Sequence, residues 1–360
     1  MAMQKITILL RALAESMTTR SSRGIVCLVL DDSTVTGLHE YTRLKQVTEE
    51  YSTENKKFIT RCFSEWGIKK LKVACYNSQK EETAETIADA LNLLDGIKFN
   101  YLACPTATET EGKQAIANFI KEQRKNGNIL VKAVLNDHAG DYEGLINFIN
   151  KQIILSDDST LTGSEFTVDI ACACATTELN SSLTNSVMSG VKSVDSVGDD
   201  LDSLVDAGKL FLFYDNDLES IVVSKAVNSK TTIGVNEKES LKKIRVVDIL
   251  DMIQDDMKVT FKKSYQGKVE NSLANKKLLV SAYNVYLRTI TKQGALNSGE
   301  TNEVALDAES QGEYLESKGI DTSELTDEQI LAKDTDEKVF ISGRVYVVDA
   351  MEELGLVLNY

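Results

Sequence analysis

The longest regular pattern of apolar residues begins near residue 237 and repeats every three or four positions. It predicts one helix with an apolar stripe about seven turns long, formed by Leu241, Ile244, Val247, Ile249, Leu250, Ile253, Met257 and Phe261. A second pattern of the same period covers residues 272–292. It predicts a partner helix that packs through Leu278, Leu279, Ala282, Val285, Tyr286 and Ile290.

The chain before this helix pair alternates between strand and helix patterns. Continuous apolar runs predict strands buried on both faces at 24–32, 71–76, 99–104 and 129–135. Helical patterns lie between or after them, at 44–63, 82–94, 109–125 and 142–151. This alternation predicts an α/β layer with a largely parallel sheet. The patterns that follow predict a hairpin or loop at 153–162, a helix at 165–176 and a short helix at 199–207, ended by Gly208.

Shorter strand patterns occur at 5–10, 209–214, 220–227, 339–349 and 354–360. Asp215, Asn216 and Asp217 predict a hairpin turn between two of these strands. The acidic stretch between 299 and 336 has few large apolar residues, and Thr326 with Gln329 predicts a capped short helix within it. We therefore divide the chain into an N-terminal arm (1–19), an outer α/β domain (20–214), an α+β C-terminal domain (215–353) and a C-terminal arm (354–360).

The region around the helix pair resembles the C-terminal domain of phage tail sheath proteins. The matching features are the turn VNSKTT, the helix KKIRVVDILDMI, the link SYQGKV and the helix NKKLLVSAYNVYL. Upstream SEFTVDIACACATTELNSSLT and DAGKLFLFYDN fit the middle region of the family, and KVFISGRVYVVDAMEELGLVLNY fits its end. The resemblance is strongest to the short sheaths of clostridial and bacillar contractile tails and of R-type bacteriocins, and it runs in order over nearly the whole chain.

This resemblance implies a structural subunit that polymerises as a six-fold helical tube around an inner tail tube. Contraction of that tube, without ATP, would drive the inner tube through a target envelope. Two strand arms would each complete the C-terminal domain of a neighbouring subunit. The matching arm residues are Ile6, Ile8, Leu10, Leu354, Leu356 and Leu358. The expected partners are other copies of the chain in hexameric rings, the inner tube protein, and the baseplate and tail terminator proteins.

Composition and charge agree with this implication. The net charge of −15 argues against a nucleic-acid binder, which needs a basic surface. No apolar run approaches the roughly 18 residues that span a bilayer, so we expect no membrane insertion. Arg11 shortens the N-terminal apolar run below the about 7–15 residues of a signal peptide. We therefore expect assembly in the bacterial cytoplasm and release on lysis as part of a virion or phage-tail-like particle.

The alternative is a small-molecule-binding or hydrolytic α/β enzyme. His138, flanked by Asp137 and Asp141 after a predicted strand, is the best catalytic constellation in the sequence. The strand-end residues Asp31 and Asp32 fit caps and turns better than a metal site. No phosphate-binding glycine motif is present. The six cysteines lie in apolar contexts and fit buried thiols. We expect no enzyme activity, cofactor or metal; a surface adhesin or shell protein is a third possibility, but it would need an export signal.

The contact with an inner tube is expected to be charged and weak, because the sheath must release the tube when it contracts. Two segments offer such a surface. Residues 276–292 are basic, whereas 294–338 hold thirteen acids against three lysines. We favour the acidic segment, and within it one predicted helical face, formed by Asp307, Glu309, Glu313 and Glu316.

Overall fold

The computed structural model describes residues 24–81, 83–235, 237–352 and 354–357. Their contacts divide the chain into two units. The α/β unit contains the described residues up to Asp248 together with those from Ala350 onward. The C-terminal unit contains Ile249–Asp349. This division by contacts falls inside the long helix. The domain division drawn from the sequence, with a boundary at residue 214, stays a prediction.

The strands of the α/β unit are short. They are β1 (Ile25–Asp31), β2 (Gly37–Tyr41), β3 (Lys70–Tyr76), β4 (Tyr101–Ala103), β5 (Lys132–Asn136), β6 (Leu145–Phe148), β7 (Gln152–Leu155), β8 (Thr160–Thr162), β9 (Val191–Val194), β10 (Lys209–Leu210), β11 (Leu212–Asp215) and β12 (Ser220–Val223). Its helices are α1 (Thr53–Ser64), α2 (Ile87–Asn92), α3 (Thr110–Lys125), α4 (Gly163–Thr176) and α5 (Leu201–Asp206). Two 3₁₀ turns lie at Leu44–Gln46 and Glu239–Lys242.

A seven-stranded sheet in the order β10-β6-β5-β4-β1-β3-β2 forms the centre of the α/β unit. All its neighbours pair in parallel except β2, which runs antiparallel to β3 at the edge. This confirms the predicted largely parallel sheet. Side chains of β1 alternate between two cores: Val26, Leu28 and Leu30 pack with Phe166 of α4. Cys27 and Val29 pack on the other face with residues of α2 and α3.

The predicted helix at 142–151 is wrong. Residues 145–148 form strand β6, buried over its whole length between β5 and β10. An apolar run this short fits a buried strand or a buried helix turn equally well, so its period could not decide between them. The predicted strand at 209–214 is also divided. β10 continues the main sheet, whereas β11 forms the predicted hairpin with β12.

The long helix α6 (Ile244–Ser264) and its partner α7 (Leu273–Lys292) are present as predicted. Ser272 caps α7 by accepting a hydrogen bond from Asn275 N. Asp248, in the second turn of α6, belongs to the α/β unit. It lies 3.1 Å from Lys132 Nζ and accepts a hydrogen bond of 2.7 Å from the Tyr101 hydroxyl. These contacts fasten the start of α6 to strands β4 and β5.

The C-terminal unit is built on the remainder of α6 and on α7. The Tyr286 hydroxyl donates to Asp256, and the Tyr283 hydroxyl donates to the Met257 carbonyl, which links the two helices. The acidic segment contains more structure than the sequence predicted: β13 (Glu303–Leu306), α8 (Ala308–Ser317) and α9 (Asp327–Ala332). Strand β14 (Ile341–Arg344) pairs antiparallel with β13. Thr326 and Gln329 form the predicted capping box at α9.

Candidate functional site

The loop around His138 is joined by hydrogen bonds to strand β6 and to the loop at residues 231–232. The His138 main-chain N–H donates to Asn147, and Asp141 accepts hydrogen bonds from the main-chain N–H groups of Thr231 and Thr232 at 2.7 and 2.9 Å. These bonds lower the pKa of the Asp141 carboxyl well below its usual range. Burial, followed by the charges of Lys113 and Lys121, lowers the pKa of the His138 imidazole. The Asp141 carboxylate thus binds the main chain of a second loop, at residues 231–232.

The other acidic positions that the sequence singled out are also turn formers. Asp32 accepts from the main-chain N–H groups of Thr34, Val35 and Ser52, and from the Asn55 amide. Asp215 accepts from the main-chain N–H groups of the next turn and closes the β11–β12 hairpin. Within the described ranges, no group of three or more His, Cys, Asp or Glu side chains could hold a metal ion.

All six cysteines are buried and none of them forms a disulfide. Burial raises the pKa of the Cys104 thiol to about 11, so this group stays protonated near neutral pH. Cys62 and Cys172 lie with their Sγ atoms 3.5 Å apart between α1 and α4. They pack in the larger apolar core, which agrees with the predicted structural role.

At the β13 edge of the β13–β14 sheet, a side chain of α7 forms hydrogen bonds with the outward main-chain groups. Asp307 N donates to Phe340 O across the pair, and the register places Ala305 opposite Ser342. The main-chain groups of Val304 therefore point away from β14. Both are satisfied by Asn284 of α7: its amide donates to Val304 O at 2.9 Å, and its Oδ1 accepts from Val304 N at 2.8 Å.

The other edge of this sheet belongs to β14. By the same alternation, the N–H and C=O groups of Ile341 and Gly343 point away from β13. Three of the four residues of β14 are exposed and the fourth is half-buried. In the part of the chain that the structure describes, no hydrogen bond reaches these outward groups. An open strand edge is a template for main-chain pairing with another chain.

The predicted arm residues are placed only in part. Leu354 and Leu356 are 87% and 68% exposed, and the described residues around them, up to Val357, are in neither helix nor strand. Leu358, Ile6, Ile8 and Leu10 lie outside the described residues. The described part of the C-terminal arm is thus an exposed apolar run. Exposure of these Leu and Val side chains to water is unfavourable. Pairing with another surface would bury them.

The predicted acidic face needs one correction. Glu309, Glu313 and Glu316 lie on the exposed side of α8, opposite its buried residues Gln311, Gly312 and Leu315. Asp307 does not share that side. It is the N-cap of α8, and its carboxylate accepts hydrogen bonds from the main chain and the hydroxyl of Ser310. A capping residue lies outside the helical repeat, so the spacing argument did not apply to it.

The basic segment 276–292 was the alternative candidate for the contact with the inner tube, but its first basic residue, Lys276, is not available at the surface. Lys276 is only 3% exposed, and its ammonium group donates to the Thr335 hydroxyl at 2.8 Å. Burial lowers the pKa of this ammonium. Lys277, Arg288 and Lys292 remain exposed on α7. The sequence also missed two residues, Asn284 and Glu352, whose side chains contact distant parts of the chain; no local pattern marks either one.

No helix in the described part of the chain is long and apolar enough to cross a bilayer. Comparison with known families gives two matches. A family model described as phage tail sheath protein central domain matches residues 80–229, and one described as phage tail sheath C-terminal domain matches residues 236–359.

Two relatives extend this similarity. The tail sheath protein of Clostridium phage phiCD119 is 31% identical over 357 residues, which cover 98% of this chain and 97% of the relative. The phage-like element PBSX protein XkdK of Bacillus subtilis is 28% identical over 228 residues, which cover 60% of this chain and 48% of that protein.

Solved structures share the fold at lower identity. The sheath tail protein Lin1278 from Listeria innocua superposes with a TM-score of 0.69 and 16% identity, covering 85% of this chain and 94% of that one. The helical sheath of the anti-feeding prophage in its contracted state gives a TM-score of 0.65 and 15% identity, covering 94% of this chain and 93% of that one.

Proposed function

This chain belongs to the phage tail sheath protein family, and from that premise we propose that it is the structural subunit of a contractile tail sheath. The observation that carries the proposal is the identity of 31% with a tail sheath protein over 98% of the chain. Copies of the chain polymerise as a six-fold helical tube around an inner tail tube. The tube contracts to drive the inner tube through a target cell envelope.

In this assembly the C-terminal domain forms the inner, polymerising layer, and the α/β domain faces outward. The arms join the subunits: Ile6, Ile8 and Leu10 on one side, and Leu354, Leu356 and Leu358 on the other, add strands to neighbouring subunits. Two features of the described residues support this arrangement. One is the outward edge of β14, and the other is the exposed apolar run at Leu354–Val357. Strand addition supplies main-chain hydrogen bonds to the first and buries the second.

The role needs no catalysis. The work of contraction comes from a metastable extended assembly, and the His138 loop contributes by holding residues 231–232. The inner tube protein, the baseplate and the tail terminator are the further partners. Assembly takes place in the bacterial cytoplasm, and the particle leaves the cell on lysis. The exposed acids Glu309, Glu313 and Glu316 of α8 face the inner tube.

The test is the removal of each arm. Chains lacking residues 1–14 or 355–360 should keep both units folded and yet fail to grow tubes, whereas the full chain forms hollow tubes in negative-stain electron microscopy. Five or six ladder hydrogen bonds, each contributing a net of about 1 kcal/mol, are lost with an arm. Circular dichroism of the unassembled chains is the folding control. Tubes of normal length from either shortened chain would contradict strand exchange.

A further inference from the structure

One buried side chain holds the last described stretch of the chain to the α/β unit. The Glu352 side chain is 9% exposed. Its Oε1 accepts hydrogen bonds from the Ser182 hydroxyl at 3.1 Å and from the Thr184 hydroxyl at 2.8 Å. Its Oε2 lies 3.4 Å from Lys243 Nζ. Both carboxylate oxygens are therefore engaged by residues far away in the sequence.

The partners of Glu352 are themselves fixed to the fold. The Thr184 hydroxyl oxygen also accepts a hydrogen bond of 2.9 Å from the Ala226 N–H. The next residue, Asn185, donates its main-chain N–H to Val223 at the end of the β11–β12 hairpin. Glu352 therefore binds a rigid part of the α/β unit rather than a free loop.

The described residues on either side of Glu352 are exposed. Met351 is 103% exposed, and Leu354 and Val357 are 87% and 84% exposed. Upstream, Val348 N donates to Ala295 O within the C-terminal unit. The chain passes from one unit to the other between Asp349 and Ala350. The Glu352 carboxylate thus holds the chain to the α/β unit directly before the exposed apolar run.

We propose that Glu352 is a positioning residue that anchors the root of the C-terminal arm to the α/β unit of its own subunit. This inference rests on the proposed function, because the arm acts only in an assembly. With the anchor closed, one residue separates Glu352 from Leu354 at the start of the arm. With the anchor open, the point at which the chain is held lies farther upstream, so the tether of the arm is longer.

A longer tether lowers the effective concentration of the arm at the strand edge that it binds. The effective concentration of a tethered segment falls roughly as the −3/2 power of tether length, so each doubling of the tether lowers it about threefold. We expect the protein concentration needed for tube growth to rise when the anchor is removed, by about threefold for each doubling of the tether. The α/β unit itself should keep its fold, since the core residues are untouched.

The anchor can be tested in the unassembled chain, independently of sheath formation. A fluorophore is attached to Val357→Cys; the native cysteines are no more than 3% exposed and do not compete for the label. Glu352→Gln, Glu352→Ala and Lys243→Met should each lower the anisotropy of this label. Glu111→Gln, which removes one exposed carboxylate of α3, is the matched control and should leave it unchanged. Equal anisotropy in all variants would overturn the anchor.

A charge swap separates positioning from general destabilisation. Glu352→Lys should loosen the arm, and the double variant Lys243→Glu with Glu352→Lys should restore much of the anisotropy, because hydroxyl oxygens also accept from an ammonium group. The same variants are then compared for the concentration at which tubes appear. A rise with Glu352→Lys that the swap reverses supports the inference, and a rise that the swap leaves in place contradicts it. If the parent chain forms no tubes, the proposed function fails, while the anisotropy still decides on the anchor.

Discussion

Asp32 organises the loop after β1 through one buried carboxylate. It is 2% exposed and accepts hydrogen bonds from Thr34, Val35, Ser52 and Asn55. Burial alone would raise the pKa of this carboxyl, but the hydrogen bonds from Asn55, Ser52 and Thr34 outweigh burial and lower it well below its usual range. The ionised form is thus favoured in the folded chain, and Asp32 links strand β1 to the N-terminus of α1.

The stabilisation by Asp32 should depend on pH. The unfolded carboxyl titrates near pH 4, and the folded one at lower pH, so the contribution is complete above about pH 5 and is lost as the pH falls below 4. Asp32→Ala should lower the free energy of unfolding of the α/β unit by about 3 kcal/mol at pH 7. At pH 3 the loss should be about 1 kcal/mol smaller. The fluorescence of Trp66, the single tryptophan, reports this in urea titrations.

The control for this measurement is Asp202→Ala, which removes an exposed carboxylate from the first turn of α5. That change should alter the free energy of unfolding only slightly, at pH 7 and at pH 3 alike. A loss of stability for Asp32→Ala that is the same at pH 7 and pH 3 would contradict the assignment, since it would show that the ionised form is not the stabilising one.

At the scale of elements, the sequence patterns predicted those strands and helix ends that depend on residues within the element itself. The continuous run from Ile25 to Asp31 gave strand β1, and Ser272 gave the start of α7. Strand β2 was missed because it lies at the sheet edge, where half-exposed positions interrupt the apolar run. Asn284 and Glu352 could not be assigned roles, because their partners lie 20 or more residues away. Such contacts follow from tertiary structure alone.

The open edge of β14 gives a prediction at the same scale. Proline is tolerated on an edge strand when the lost N–H points outward. Ile341→Pro should therefore leave the unassembled chain folded and prevent the addition of a strand at that edge, so that tubes are absent from negative-stain images. Ile341→Ala, which keeps the N–H, should still form tubes.

Asn284→Ala serves as the control at the opposite edge. It removes the amide that binds Val304, so it should lower stability by about 1–3 kcal/mol through two unsatisfied main-chain groups, and tubes should still form. Tubes formed by Ile341→Pro as readily as by the parent chain would show that the added strand does not pair with β14.

At the scale of the whole molecule, charge is distributed unevenly. The net charge is −15, and the segment from Gly294 to Lys338 alone holds thirteen acids against three lysines. The structure shows that part of this charge serves the fold: Asp307 caps α8, and Asp336 accepts from the Tyr314 hydroxyl. Glu309 and Glu313 are exposed on α8. Glu316 is exposed too, although it also accepts a hydrogen bond from Thr322.

These three glutamates carry the prediction for the contact with the inner tube. Exposed ion pairs contribute about 0–1 kcal/mol each, and salt screens them over about 8 Å at physiological ionic strength. A contact of this kind holds the tube through repetition and still releases it on contraction. Replacing Glu309, Glu313 and Glu316 by lysine, with Asp307 kept as the cap, should leave strand exchange intact and yield sheaths that assemble without a tube or contract early. The matched control reverses three exposed acids of the α/β unit, Glu111, Glu122 and Glu178. A reversed α8 that still gives stable extended sheath around the tube, at low and high salt alike, would place the tube contact elsewhere.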